Sequence, residues 1–375
     1  MQYSVDDLVR TARRDNNSKR PYLYVNPIQG KHIPTAPERT LGMCKALADI
    51  INDKYGSDRL YVIGFAETAT GIAAGICSYL NNVVYYQNTT REYREDEEYL
   101  YFTESHSHAT EQMLRSCGIE ECIGNIDRIV FIDDEVTTGS TICKLIDVIR
   151  EKYGACDIGY GIASVLNSMT DERMNELKED GIECLFISQI PHEYKKDSIT
   201  GIPFDKERHI IVRPESEEDF TEIIFKGRSD PRNIVMFSDY ERNVTGYANE
   251  IIDFFRHEHF ENVLVLGTEE FMYPTIVVGH MLIESGTAGN VKIHSTTRSP
   301  VVASGIADYP LYCRYQMRSM YDEERTTFIY NLKMYDKVII LTDTQKYTCG
   351  LQDLCNALKI VGNKNITVAR WIYKE

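Results

Sequence analysis

The chain repeats itself, and that limits its fold more than any other feature. RLYVIGFAETATGIAAGICSYL, from Arg59, aligns with NVLVLGTEEFMYPTIVVGHMLIE, from Asn262, and sets Gly64 opposite Gly267. VVYYQNTTREY aligns with VKIHSTTRSPV, so that Thr89-Thr90-Arg91 stands opposite Thr296-Thr297-Arg298. DRIVFIDDEVTTGSTICKLIDVI aligns with DKVIILTDTQKYTCGLQDLCNAL, with Asp134 opposite Asp343. The three blocks keep their order at separations of about 203 to 209 residues, which points to a duplicated structural unit. Two of the three blocks run from a short apolar stretch through a turn into a helical period. This is the pattern of a strand buried on both faces of a parallel sheet, then a loop and a helix. The fold class expected is α/β: two doubly wound α/β/α domains of related topology, the second degenerate. A length of 375 residues suits two such domains.

The most informative block is RIVFIDDEVTTGST, Arg128 to Thr141. Ile129 to Ile132 run straight into Asp133, Asp134 and Glu135; Thr137, Thr138, Gly139, Ser140 and Thr141 follow. ICKLIDVIREKYG then reads as a helix with Ile142, Leu145, Ile146 and Ile149 on one face. Glycine and small hydroxyl residues let successive backbone N–H groups converge on an anion, and the helix N-terminus adds partial positive charge. The acids stand before that loop, so they face sugar hydroxyls or a bound cation.

Asp133 to Thr141 resembles the ribose-5-phosphate-binding motif of type I phosphoribosyltransferases. The resemblance implies that Asp133 and Asp134 bind the ribose hydroxyls of phosphoribosyl pyrophosphate (PRPP). It implies that Thr137 to Thr141 hold the 5-phosphate, with Mg²⁺ held mainly by the substrate and Asp133 and Asp134 as its protein ligands. Upstream, GFAETATG follows the strand Leu60–Ile63. Alone it reads equally as a Gly/Ala packing turn. In this family the corresponding loop cradles pyrophosphate, which assigns Ala66, Glu67 and Thr68 to that role. Arg91 is then the candidate to offset developing pyrophosphate charge, and Glu135 the candidate base near C1.

The stretch Arg91 to Leu114 is strongly charged and poor in apolar residues, and occupies the position of the family's hood loop. Within it Glu104, His106 and His108 open a predicted helix. The two histidines are two residues apart and do not share a helical face, which argues against a metal pair. A part in base recognition or proton transfer stands beside a structural capping role.

Residues 1–21 read as a frayed arm or amphipathic cap, 22–190 as the catalytic domain, and 191–232 as a linker in which Pro191, Pro203 and Pro214 recur, with room for a short hairpin. The loop Asn26 to Thr40, carrying Lys31 and His32, reads as connection rather than site. Residues 233–375 form the second repeat, with Thr342-Asp343 for the acid pair and Lys346-Tyr347-Thr348-Cys349 where TTGS should stand. Bulky Lys and Tyr would fill the space a phosphate needs, so this copy is expected not to bind PRPP. It carries instead Thr297-Arg298-Ser299-Pro300, with Arg298 and Ser299 as candidates for an anion or base pocket.

An orotate-phosphoribosyltransferase-like domain followed by this signature resembles the TRSP-containing family encoded in tellurium-resistance and stress gene clusters. The resemblance implies a PRPP-dependent transferase acting on a nucleobase-like acceptor in the making of a nucleoside-like metabolite, with a homodimer as one way to complete the site. The repeat offers another, the degenerate domain as an in-cis partner with Arg298 near the hood loop. A non-catalytic sensor of PRPP or a nucleotide on the same fold is the alternative. A net charge of −16 argues against a nucleic-acid binder. No apolar run reaches membrane-spanning length, and ten cysteines without a CxxC pair read as reduced thiols, so a cytoplasmic location is expected.

Overall fold

A computed structural model of the chain describes residues 3–15, 20–102, 112–155, 157–190, 199, 201–213 and 220–373. The first half begins with helix α1 (Val5–Leu8), strands β1 (Arg10–Arg13) and β2 (Tyr22–Val25), and the long helix α2 (Pro37–Tyr55). Then come β3 (Leu60–Gly64), α3 (Thr70–Cys77), β4 (Val83–Asn88), the small ribbon β5 (Tyr99–Tyr101) and β6 (Met113–Arg115), and α4 (Ile119–Ile123). β7 (Arg128–Val136), α5 (Ser140–Tyr153), β8 (Gly159–Asn167), α6 (Asp171–Glu179) and β9 (Ile182–Gln189) complete it. The second half holds β10 (His209–Ile211), β11 (Thr221–Arg228), β12 (Val235–Met236), α7 (Phe237–Phe254), β13 (Phe260–Gly267), α8 (Tyr273–Glu284) and β14 (Ala288–Ser295). It ends with β15 (Arg314–Arg318), β16 (Thr326–Tyr330), β17 (Lys337–Thr342), α9 (Cys349–Ile360) and β18 (Ile366–Tyr373).

The chain forms two compact units that interleave along its length. Unit 1 gathers the described parts of Met1–Val5, Leu41–Glu193 and Ser229–Asn243; unit 2 gathers those of Asp6–Thr40, Tyr194–Arg228 and Val244–Glu375. Among the described residues unit 1 has a six-stranded sheet in the order β12-β4-β3-β7-β8-β9, parallel except for β12. Unit 2 has a five-stranded parallel sheet, β11-β18-β17-β13-β14. The repeat is visible in the two centres: β4-β3-β7-β8 and β14-β13-β17-β18 have the same order and direction.

In unit 1 both faces of β7 are covered, as its unbroken apolar run requires. Ile129 and Phe131 point to the side where α5 buries Ile142, Leu145, Ile146 and Ile149; Val130 and Ile132 are buried on the other. Each of those aliphatic side chains contributes about 2 kcal/mol on burial. α5 starts on Gly139 and stops on Gly154, both left-handed, with Arg150 and Lys152 in its last turn, where cations suit the helix dipole.

Two parts of the chain differ from the expectation. Arg10–Arg13 is not a frayed arm but a strand paired antiparallel with β2, because Ala12 and the preceding Leu8 are wholly buried. The stretch between the repeats forms no hairpin among its described residues. Its strands join unit 2 separately, β10 parallel to β15 and β11 parallel to β18. No described helix is long and apolar enough to cross a membrane.

Candidate active site

The carboxyl ends of β3 and β7 bring two loops together. Phe65 N–H, just past β3, donates to Ile132 O at 2.9 Å, one residue before the acids. Asp133, Asp134 and Glu135 follow at the end of β7, each half-buried. Asp134 N–H donates to Asp133 Oδ1 at 2.9 Å. Burial, and then the Asp134 carboxylate beside it, push the Asp133 carboxyl well above its ordinary pKa. A sugar hydroxyl donating to this pair, or a cation across it, would relieve that repulsion.

The chain then turns through Thr137 to Thr141 into α5. Gly139 has φ 68°, the left-handed region, and a Cβ there would lie 3.4 Å from Met169 Sδ. Thr138, Ser140 and Thr141 are exposed. The hydroxyls of Thr138 and Ser140 lie 2.9 Å apart at the start of a fourteen-residue helix, whose first N–H, that of Ser140, donates to Thr138 Oγ1 at 3.3 Å. Arg173, at the start of α6, donates from Nε to Thr138 O at 3.2 Å and pairs with Glu176 at 2.8 Å, bracing the loop from outside. Arg173 carries no motif in sequence; only the packing of α6 shows it.

The loop after β3 has a tight fit. A Cβ on Gly64 would lie 2.7 Å from Ala73 Cβ and 2.9 Å from Asn88 Oδ1. Thr89 N–H donates to Gly64 O at 2.9 Å, and Ala66 N–H donates to Thr89 Oγ1 at 2.8 Å. The Ala66–Glu67 peptide is cis. Glu67 is buried, Thr68 half-buried, and Thr70 donates its hydroxyl to Glu67 O at 3.2 Å. The amide of Ala66 is thus committed to Thr89. Half-buried Arg91 follows Thr90, which is bridged to Met113 by 2.8 and 3.0 Å backbone hydrogen bonds. Gln112, which no sequence pattern marks, donates from Nε2 to Ala66 O at 2.9 Å. Glu104, His106 and His108 lie outside the described residues.

At the corresponding place in unit 2 Lys346 and Tyr347 do not fill the loop, since both are exposed, and the acid is held by neighbouring side chains. Asp343 accepts hydrogen bonds from the phenols of Tyr321 and Tyr373. Its neighbour Thr344 receives Arg370 Nη1 at 2.7 Å on Oγ1 and 2.8 Å on its carbonyl. Of the second-domain candidates, Arg298 is mostly buried and donates from Nε to Glu269 Oε2 at 2.6 Å. Ser299 N–H donates to Thr297 Oγ1 at 3.2 Å, and Ser299 O accepts from Tyr330.

Among the described residues no cluster of three His, Cys, Asp or Glu side chains could enclose a metal ion. The adjacent carboxylates Asp133 and Asp134 fit a hard cation that takes most of its oxygen ligands from a phosphorylated substrate and from water.

Comparison with known proteins gives the following. Residues 8–190 match the family described as phosphoribosyl transferase, and residues 238–358 match the TRSP domain, described as C-terminal to that transferase domain. A search of the curated proteins returned no match. Among solved structures, adenine phosphoribosyltransferase from Trypanosoma brucei is 14% identical, with a TM-score of 0.36 over 53% of this chain and 82% of that one. The adenine enzyme from Rhodothermus marinus is 15% identical, with a TM-score of 0.35 over 50% and 96%. Orotate phosphoribosyltransferase from Aeropyrum pernix is 14% identical, with a TM-score of 0.30 over 48% and 87%.

Proposed function

We infer the activity of this chain from its place in the family that joins a phosphoribosyl transferase domain to a C-terminal TRSP domain. We propose that unit 1 transfers phosphoribosyl from PRPP to a nucleobase-like acceptor with release of pyrophosphate, or runs the reverse, and uses Mg²⁺. The observation that carries this reading is the Phe65–Ile132 hydrogen bond of 2.9 Å. It sets the loop after β3 beside the Asp133-Asp134 pair and the loop that opens α5. Ribose, 5-phosphate and pyrophosphate of one substrate need those three features within one substrate's length.

In this reading the C1–O bond to pyrophosphate breaks as a bond from the acceptor nitrogen to C1 forms, and the acceptor's proton leaves to a base. Positive charge grows on the ribosyl ring and negative charge on the pyrophosphate, so catalysis is mostly orientation and charge stabilisation. Asp133 and Asp134 hold the ribose hydroxyls. Thr137 to Thr141 hold the 5-phosphate through hydroxyls and backbone amides at the start of α5. Glu67 and Thr68 present the loop to pyrophosphate, with Ala66 fixed by Thr89. Arg91 offsets pyrophosphate charge, and Glu135 is the base to test. Bound Mg²⁺ would neutralise the pyrophosphate as it leaves.

The test is PRPP binding by calorimetry in the presence of Mg²⁺, with pyrophosphate release on adding a panel of bases. A double substitution, Asp133→Asn with Asp134→Asn, is expected to abolish binding. Unchanged affinity removes the assignment. Binding without pyrophosphate release from any base favours a sensor over a transferase.

A further inference from the structure

In unit 2 the loop after β13 keeps two hydrogen bonds of its counterpart after β3. Thr296 N–H donates to Gly267 O at 3.1 Å, as Thr89 N–H does to Gly64 O at 2.9 Å. Glu269 N–H donates to Thr296 Oγ1 at 3.0 Å, as Ala66 N–H does to Thr89 Oγ1 at 2.8 Å. Helices α8 and α3 begin at Tyr273 and Thr70, equally far along the chain from Gly267 and Gly64. The two hydrogen bonds and the helix offset are shared, while the backbone between them differs: the peptide after Ala66 is cis, and Glu269 stands in the left-handed region at φ 45°.

Glu269 is 1% exposed. One carboxylate oxygen, Oε2, receives Arg298 Nε at 2.6 Å and Arg325 Nη2 at 3.0 Å. The other accepts from Ser319 Oγ, which also receives Arg325 Nη2 at 3.0 Å. The ammonium of buried Lys31 donates to the Glu269 carbonyl, and lies 3.3 Å from Ser295 Oγ. Arg298 Nη2 stands 3.9 Å from Glu270. Arg298 is the repeat partner of Arg91. Three cationic side chains from distant parts of the sequence therefore close on a loop built like the one assigned to pyrophosphate in unit 1. Two oxygens of one anion, one held between two guanidinium groups and the other by a hydroxyl, are what a carboxylate and a phosphate group both offer.

We propose that unit 2 contains an anion site of the phosphate or pyrophosphate class, and that the Glu269 carboxylate fills it from within. The naming of pyrophosphate rests on the reading of the first loop, whose own test uses unit 1 variants and pyrophosphate release. The self-filled site gives Arg298 and Arg325, both mostly buried, a shared counter-charge. Removing the carboxylate leaves those charges buried and creates demand for an external anion. Glycine suits the position, because Glu269 has φ 45° and glycine adopts that region without strain.

The experiment is a titration of full-length Glu269→Gly with inorganic pyrophosphate against sodium chloride of equal ionic strength. It reads thermal unfolding and tryptophan fluorescence. Trp371 is the single tryptophan of the chain, belongs to unit 2, and packs at 5.6 Å from the ring of Phe271. Its emission thus separates this site from any binding in unit 1. Glu269→Gly is expected to unfold at a lower temperature than wild type and to regain stability with pyrophosphate, with a change in emission. Half-saturation should lie at least about tenfold below any response of the wild type. Adding Arg325→Gln should abolish the response. A folded Glu269→Gly that ignores pyrophosphate overturns the proposal. If that variant does not fold in chloride, refolding is compared with and without pyrophosphate, and recovery with pyrophosphate alone supports the site. Without recovery, the isosteric Glu269→Gln decides, an emission response to pyrophosphate supporting the site and none overturning it.

Discussion

Asp133 carries a carboxyl that the fold makes hard to ionise. Its folded-state pKa stands above the ordinary carboxylate value because burial and Asp134 both oppose ionisation. The folded protein therefore holds this proton more tightly than the unfolded chain. The stability that follows is fully present below the ordinary carboxylate pKa, and is lost as pH rises through the raised folded value. Asp133→Asn cannot ionise and can still accept the Asp134 N–H, so it should escape that loss. In urea unfolding without ligand, its stability relative to wild type should grow from about pH 4 towards neutrality. A difference independent of pH would mean that Asp133 carries no such penalty. The position of Asp133 at the end of a buried strand was legible in sequence, since an apolar run stops there and a small-residue loop follows. Arg173 and Gln112 were not legible. Each acts by reaching a backbone carbonyl, of Thr138 and of Ala66, and any residue type leaves carbonyls to reach.

At the scale of elements, the loop after β3 depends on β4 as much as on its own residues. Thr89 is wholly buried and its hydroxyl is the acceptor for Ala66 N–H at 2.8 Å. Thr89→Val keeps the shape and removes the acceptor, leaving a buried N–H unsatisfied at a cost of about 1–3 kcal/mol. Urea unfolding should show that loss, and Thr89→Ser should recover most of it. On the proposed activity, the KM for pyrophosphate in the reverse reaction should rise more than kcat falls. Equal stability for the valine and serine variants would mean that the hydrogen bond does not hold the loop. The repeat alignment pointed to the Thr-Thr-Arg block twice, and unit 2 uses Thr296 in the same way on Glu269. Alignment located the element; only the hydrogen bond showed that its first threonine serves the neighbouring loop.

For the whole molecule, the units exchange segments along the chain. In unit 1, β12 pairs antiparallel with β4, Asn88 N–H donates to Pro231 O at 2.7 Å, and buried Arg115 pairs with Asp230 at 2.9 Å. In unit 2, Thr35 bridges Ile293 antiparallel, and Ala12 and Val25 belong to a core cluster with Val301 and Tyr330. A cut after residue 190 separates both sets. Losing Asp230 leaves buried Arg115 with Glu97 at 3.3 Å as its remaining carboxylate, which weakens the charge balance of that core. Fragments 1–190 and 191–375 should each be unstable alone and should copurify when made together, as read by size-exclusion chromatography and circular dichroism. Two separately stable fragments would overturn this account of the units. By itself the sequence determined the duplicated α/β plan, the strand-to-helix order and the place of the acidic strand end and the small-residue loop after it, because these follow from local periodicity and from residue types at fixed spacing. The tertiary structure alone decided which segment completes which sheet and which carboxylate answers Arg298. Backbone pairing and ion pairing act between residues far apart in sequence, and nothing in their local pattern names the partner.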